Sequence, residues 1–255
     1  MKQLLLIGLL CSLLFGNSVD VDRFNLWPRT TVMGNFGTSK IGYFGLADMR
    51  YNITFTKTIN DSLLNNEQQS IFRSDLIIGP TWSTKINQKL PFRVGLLYHP
   101  MFNITSEVSP TSFVRHSLEL RLDLKQPIKK GTIRYRIIGW NWFSTALDNG
   151  RKLNNEVVVR ILLGGVIPLN KQWQIIVDEE IVLKPTADKS DWDGTEVFNK
   201  NNIWAGIQWH PNALITVKLQ YMNAYTRNMR TETKNVTLVD NSIMANVIFT
   251  PPQKK

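Results

Sequence analysis

Between Val114 and Lys125 the chain alternates without a break. Val114, His116, Leu118, Leu120, Leu122 and Leu124 share one parity, and Arg115, Ser117, Glu119, Arg121, Asp123 and Lys125 the other. Successive side chains of an extended strand point to opposite faces, so this segment sets one face in an apolar medium and the other among charges. The same period governs Ala213 to Met222, where Ala213, Ile215, Val217, Leu219 and Tyr221 alternate with Leu214, Thr216, Lys218, Gln220 and Met222. It returns from Asn202 to His210, with Ile203, Ala205, Ile207 and Trp209 against Asn202, Trp204, Gly206, Gln208 and His210. Helical spacing is not evident beyond the N-terminal segment.

The pattern predicts eleven strands, over 24–35, 40–55, 71–83, 90–104, 112–126, 131–144, 155–169, 172–185, 199–210, 213–227 and 236–250. Most run to ten residues or more, against about five to six in soluble sheets, and about nine to eleven tilted residues are what crossing a bilayer requires. The connections sort into short ones, at Gly37 to Lys40, Lys85 to Lys89, Pro127 to Lys130, Asn170 to Gln172 and Pro211 to Asn212, and longer polar ones. The longer ones are Lys57 to Ser70, Asp148 to Asn154, Pro185 to Val197 and Asn228 to Asn235. Alternating short and long connections fit an antiparallel transmembrane β-barrel with short periplasmic turns and longer extracellular loops.

The N-terminus supports export. Lys2 precedes an apolar run from Leu4 to Phe15, closed by Gly16, Asn17 and Ser18. This is the order of a secretory signal peptide, and about twelve apolar residues fall short of the roughly twenty of a spanning helix. We therefore expect a signal peptide over 1–18 and a single β-barrel domain over 19–255, in the outer membrane of a Gram-negative bacterium. Cys11, the only cysteine, falls inside the apolar run, so the mature chain would carry no disulfide. A soluble periplasmic β-sheet binding protein would also alternate, with its apolar face turned inwards. Strand length, the export signal and aromatics near strand ends favour the barrel. Those aromatics are Trp27, Tyr43, Tyr51, Trp82, Tyr98, Trp173, Trp209, Tyr221 and Phe249, where interfacial girdles lie.

Parity leaves the strand count open. Single-chain bacterial barrels normally have an even number of strands, whereas eleven would leave the N-terminus on the long-loop side. Either a strand near Val19 to Trp27 is hidden or the N-terminal segment returns through the lumen. The working expectation is about twelve, within a range of 10–12.

Several segments resemble one bacterial family. They are Phe24-Asn-Leu-Trp27, the strands Arg115 to Leu124 and Thr132 to Arg136, the acidic strand Val177 to Val182, and the closing Asn202 to Gln208 with Leu214 to Met222. Together they resemble the family called domain of unknown function 2490. The resemblance implies a porin-like outer-membrane barrel of unknown role and carries over no catalytic or binding residue. The alternation of Ile243, Ala245, Val247 and Phe249 suits a terminal strand, although six residues follow Phe249.

If Leu118, Leu120, Leu122, Ile215, Val217 and Leu219 face lipid, the opposite faces converge in a lumen. That lumen would hold Arg115, Glu119, Arg121, Asp123, Arg134, Arg136, Arg160, Asp178, Glu180 and Lys218, with Arg29, Asp48, Arg50, Arg73, Asp75 and Arg93. Ten basic groups against six acidic ones predict either a mutually paired filling or an anion-leaning interior able to take a small anionic ligand. Glu179 would then point outwards, at a cost the sequence does not explain.

No catalytic set, metal site or cofactor is expected. His116 and Ser117 are strand neighbours on opposite faces, and His99 and His210 are read as lying near short turns of different strands. The expected protein is non-catalytic, structural or a narrow channel, with an outer-membrane lipid hydrolase as the less favoured alternative. Its expected partners are outer-membrane lipid and the barrel-insertion machinery. A formal net charge of +10, of which the signal removes only Lys2, is assigned to cationic rims rather than to nucleic acid.

Overall fold

The structure, a computed structural model, describes residues 21–59, 62–65, 70–103, 113–143, 156–185, 198–230 and 235–252. The segment read as a signal peptide lies outside them. Twelve strands form one sheet: β1 (Val21–Asn35), β2 (Ile41–Ile59), β3 (Ser62–Asn65), β4 (Ser70–Ile86), β5 (Leu90–Asn103), β6 (Phe113–Ile128), β7 (Gly131–Phe143), β8 (Glu156–Pro168), β9 (Trp173–Leu183), β10 (Phe198–Trp209), β11 (Ile215–Arg230) and β12 (Asn235–Phe249). Consecutive strands from β4 to β12 pair antiparallel, and β4 pairs antiparallel with β2. β3 only extends the end of β2 as a four-residue hairpin arm.

The wall therefore contains eleven strands, and the parity problem is solved at the seam. β1 pairs antiparallel with β2 and parallel with β12, in an unbroken register from Val21 opposite Leu238 to Val32 opposite Phe249. An odd number of strands cannot close with antiparallel neighbours alone, and a parallel ladder costs little in pairing energy. The N-terminal strand thus completes the wall itself; it does not return through the lumen.

One end of the barrel is built from tight turns with evident local causes. Asn87 and Gln88 both have positive φ, at 48° and 60°, and Lys89 N donates to Ile86 O at 3.1 Å, a primed hairpin turn that suits the strand twist. Asn170 Oδ1 accepts from Gln172 N and Trp173 N, both at 2.8 Å, and Asn212 Oδ1 accepts from Leu214 N and Ile215 N, both at 2.9 Å. These asparagine turns replace the backbone bonds a tight reversal loses.

At the other end, two connections expected to be long loops contain strand residues. Lys57 to Ser70 contains the end of β2 and all of β3, and β11 reaches Arg230 before β12 begins at Asn235. The register shift between Thr226 and Met229 lets this pair run on beyond the barrel's regular ladder.

The two faces differ sharply. Leu118, Leu120 and Leu219 on the outside are about half exposed, at 51%, 49% and 48%, and Leu122, Ile215 and Val217 stand on the same face. Glu119, between Leu118 and Leu120, is fully buried at 0%. An apolar exterior around a charged interior is the reverse of a soluble protein's arrangement.

Candidate functional site

The interior is packed. Phe44, Leu46, Ile77 and Leu97 form one apolar cluster with Met33 against it. Trp27, Trp204, Met222, Ala224 and Met244 form a second, and Met101, Val158 and Val182 a third under Trp140. Trp27, expected in the outer aromatic belt from its place near a strand end, is instead a core residue; its ring lies 5.5 Å from that of Trp204. Tyr43, Trp82, Tyr98, Trp173, Trp209, Tyr221 and Phe249 do stand outside, with Trp173 stacked on Trp209 at 5.8 Å.

Between the clusters lies a cavity of about 330 Å³. Of the ten charged residues expected in the lumen, Glu119, Arg121, Asp123, Arg134, Arg136, Arg160, Asp178, Glu180 and Lys218 line it, joined by Arg29, Asp48, Arg50, Asp75, Arg93 and Lys125. The side chains of Arg115 and Arg73 lie outside the described residues. Lys125 was absent from the expected set, although it shares the parity of Glu119, Arg121 and Asp123.

Each lining carboxylate has an arginine. Arg29 pairs with Asp48 at 2.7 Å, Arg50 with Asp75 at 3.4 Å and Arg121 with Glu119 at 2.5 Å. Arg136 pairs with Asp123, Arg134 with Asp178 and Arg160 with Glu180. Asn202 Nδ2 adds a bond to Glu180 Oε1 at 2.7 Å. Buried charges are tolerated only in such paired and hydrogen-bonded settings.

Several guanidinium groups also lie over aromatic rings: Arg50 at 3.7 Å from Trp27, Arg121 at 4.5 Å from Phe44 and Arg160 at 5.0 Å from Trp140. Arg121 on β6 and Phe44 on β2 are three places apart round the ring, so this contact ties separated parts of the wall together. A cation over a desolvated ring adds up to about 2 kcal/mol.

Among the described residues nine basic and six acidic side chains line the cavity, and six arginines are taken up one to one. Arg93, Lys125 and Lys218 remain, with no carboxylate partner among the described residues. Arg93 Nε donates to Ser83 Oγ at 3.2 Å, and its Nη1 approaches Met33 Sδ at 3.3 Å.

The three histidines stand apart from one another. His99 is not near a short turn: it is buried inside the wall, its Nε2 3.1 Å from Asp75 Oδ1 and its ring edge-on to Trp140 at 5.5 Å. Ser117 Oγ donates to the carbonyl oxygen of His99 at 3.4 Å, not to its ring, so Asp75, His99 and Ser117 lack the hydroxyl-to-imidazole bond of an activated nucleophile. His116 stands on the outer face, with Nδ1 2.5 Å from Tyr98 Oη.

His210 sits in the turn between β10 and β11. Gln208 Nε2 donates to its Nε2 at 2.5 Å, which puts the ring proton on Nδ1, 2.9 Å from Thr216 Oγ1. Burial, and then the charge of Lys218, hold its pKa below the usual histidine value. Among the described residues no three His, Cys, Asp or Glu side chains converge as metal ligands would.

Glu179, on the outer face, accepts from Asn201 Nδ2 at 3.3 Å. That partner reduces the desolvation cost which the sequence left unexplained.

A family model described as a protein of unknown function, DUF2490, matches residues 24–235. A solved structure titled as the NanC porin shares 14% identity, covers 88% of this chain and 98% of its own, and superposes with a TM-score of 0.47. No curated protein matches the chain.

Proposed function

The chain belongs to the DUF2490 family of proteins of unknown function, and from that premise we propose that it is a non-catalytic outer-membrane β-barrel whose side-chain-filled lumen acts as a narrow, anion-leaning channel. One observation carries the membrane reading: large apolar side chains stand exposed all round the outer wall while arginines, aspartates and glutamates face inwards. Leu96 at 58%, Ile137 at 47% and Val177 at 49% lie on β5, β7 and β9, and Ile243 faces outwards on β12. A water-soluble protein rarely exposes a contiguous apolar patch beyond a few hundred Å². In a bilayer, at about 25 cal/mol per Å², the same surface becomes the main favourable term.

The anion leaning rests on Arg93, Lys125 and Lys218, the cations left over when the lumen's ion pairs are counted. A surplus of basic side chains in a confined space raises the local concentration of anions. The partners this reading implies are membrane lipid and, during biogenesis, the insertion machinery.

Cell fractionation, with heat-modifiable migration of the unboiled protein, tests the location; recovery in the soluble periplasmic fraction would overturn it. Planar bilayers test the channel. A small current with its reversal potential shifted towards anions is expected, and cation selectivity or a complete absence of current would remove the channel reading.

A further inference from the structure

The three cations left over in the lumen are not scattered along it. Arg93 is the third residue after Leu90 at the start of β5, Lys125 the third before Ile128 at the end of β6, and Lys218 the third after Ile215 at the start of β11. All three therefore lie close to the tight-turn mouth. Round the eleven-strand ring, β11 is five places from β6 through β7 to β10, and five from β5 through β4, β2, β1 and β12. Lys218 thus faces Arg93 and Lys125 from the opposite wall. All three line the same cavity.

The groups around them do not neutralise this charge. Lys218 stands between Gln208 and Asn246 in the register, and Lys125 directly opposes Arg134. Asp123 and Asp178, the nearest acids of the set, are held by Arg136 and Arg134. Arg93 and Lys218 are half-buried and Lys125 is exposed, so water and loss of a lysine proton relieve part of their mutual repulsion, and an oxyanion relieves it further through charge-assisted hydrogen bonds to all three.

We propose that the tight-turn mouth is a binding site for a small multivalent oxyanion, held between Lys218 on one wall and Arg93 with Lys125 on the other. Phosphate and short dicarboxylates share the required chemistry, since each can present anionic oxygens to two sides. Chloride offers a single centre and cannot bridge the walls. The lumen cavity, about 330 Å³ in all and lined in part by these three residues, is larger than a ligand of this size. The site rests on the reading of the barrel interior as its working space.

Calorimetric titration of folded protein in detergent at fixed ionic strength tests the proposal, with inorganic phosphate in one arm, succinate in a second and chloride in a third. Saturable one-to-one binding is expected for phosphate or succinate and none for chloride. Lys218→Gln and Arg93→Gln should each weaken binding by about tenfold. Lys218→Arg should restore it, and Lys130→Gln, at an exposed turn of the same end, should leave it unchanged.

Absence of saturable phosphate and succinate binding by heat-modifiable wild-type protein would overturn the site, whatever the variants do. So would unchanged affinity in folded Lys218→Gln. Anion-selective current without oxyanion binding would remove the site and leave the channel; binding without current would do the reverse.

Discussion

The carboxylate of Asp178 lies over Gly164, so that a Cβ added at Gly164 would stand 1.8 Å from Asp178 Oδ1. In the register Arg134 on β7 opposes Gly164 on β8, which opposes Asp178 on β9, and the ion pair therefore reaches across an entire intervening strand. Only a residue without a side chain leaves that path open. Gly164→Ala should drive the carboxylate away from Arg134 and lower stability by roughly 1–3 kcal/mol, the cost of a lost charge-assisted bond with a buried partner. Heat-unfolding midpoints of Gly164→Ala, Asp178→Asn and the double variant measure it. Because both changes break one interaction, the double variant should lose little more than the worse single one; additive losses would refute the coupling.

The two faces of β6 should be chemically separable. Single cysteines replacing Leu118, Leu120 and Leu122 in the membrane-inserted protein should resist a water-soluble thiol reagent, and those replacing Glu119, Arg121 and Asp123 should show a different labelling pattern set by lumen access. The natural chain's only cysteine, Cys11, lies in the segment read as the signal. A slip of one residue would exchange the two sets, so matching rates at all six positions would contradict the register.

The parallel seam makes a geometric prediction. Thr30 opposes Val247 across β1 and β12. The pair Thr30→Cys and Val247→Cys should form a disulfide in oxidised, folded protein, whereas Thr30→Cys with Val239→Cys, eight residues earlier on β12, should not. The reverse result would mean that the barrel closes with another register or another strand.

His210 should make stability depend on pH. Its folded-state pKa is lowered by burial and by Lys218, so below about pH 6.5 the unfolded chain binds more protons than the native one. The stabilisation present above that value is lost as pH falls through the folded pKa. Wild-type protein should therefore lose heat stability on acidification relative to its own value near pH 8 more than His210→Gln does. Parallel curves for the two proteins would exclude this source of pH dependence.

The alternation in β6 was readable because it depends only on the backbone's own period. Each residue's face follows from its neighbour's, which is why Glu119, Arg121 and Asp123 could be set opposite Leu118, Leu120 and Leu122 without knowing any partner strand. Lys125 shares that parity, and its place in the lumen was as legible as theirs. Trp27 shares the parity of Arg29, which was set inwards on the same reasoning, so its inward face was legible too; its place near a strand end pointed to the outer belt instead.

What the sequence determined by itself was the all-β class, the strands near their true bounds, the sorting into tight and long ends, and the sign of the interior's excess charge, because these follow from local period and turn chemistry. The tertiary structure alone decided how eleven strands close, which arginine holds which carboxylate, and that Arg93, Lys125 and Lys218 face one another at one mouth. Those relations depend on register and ring order between strands far apart in the chain. A parallel seam joining residues 217 positions apart, such as Val21 and Leu238, leaves no trace in the period of either strand.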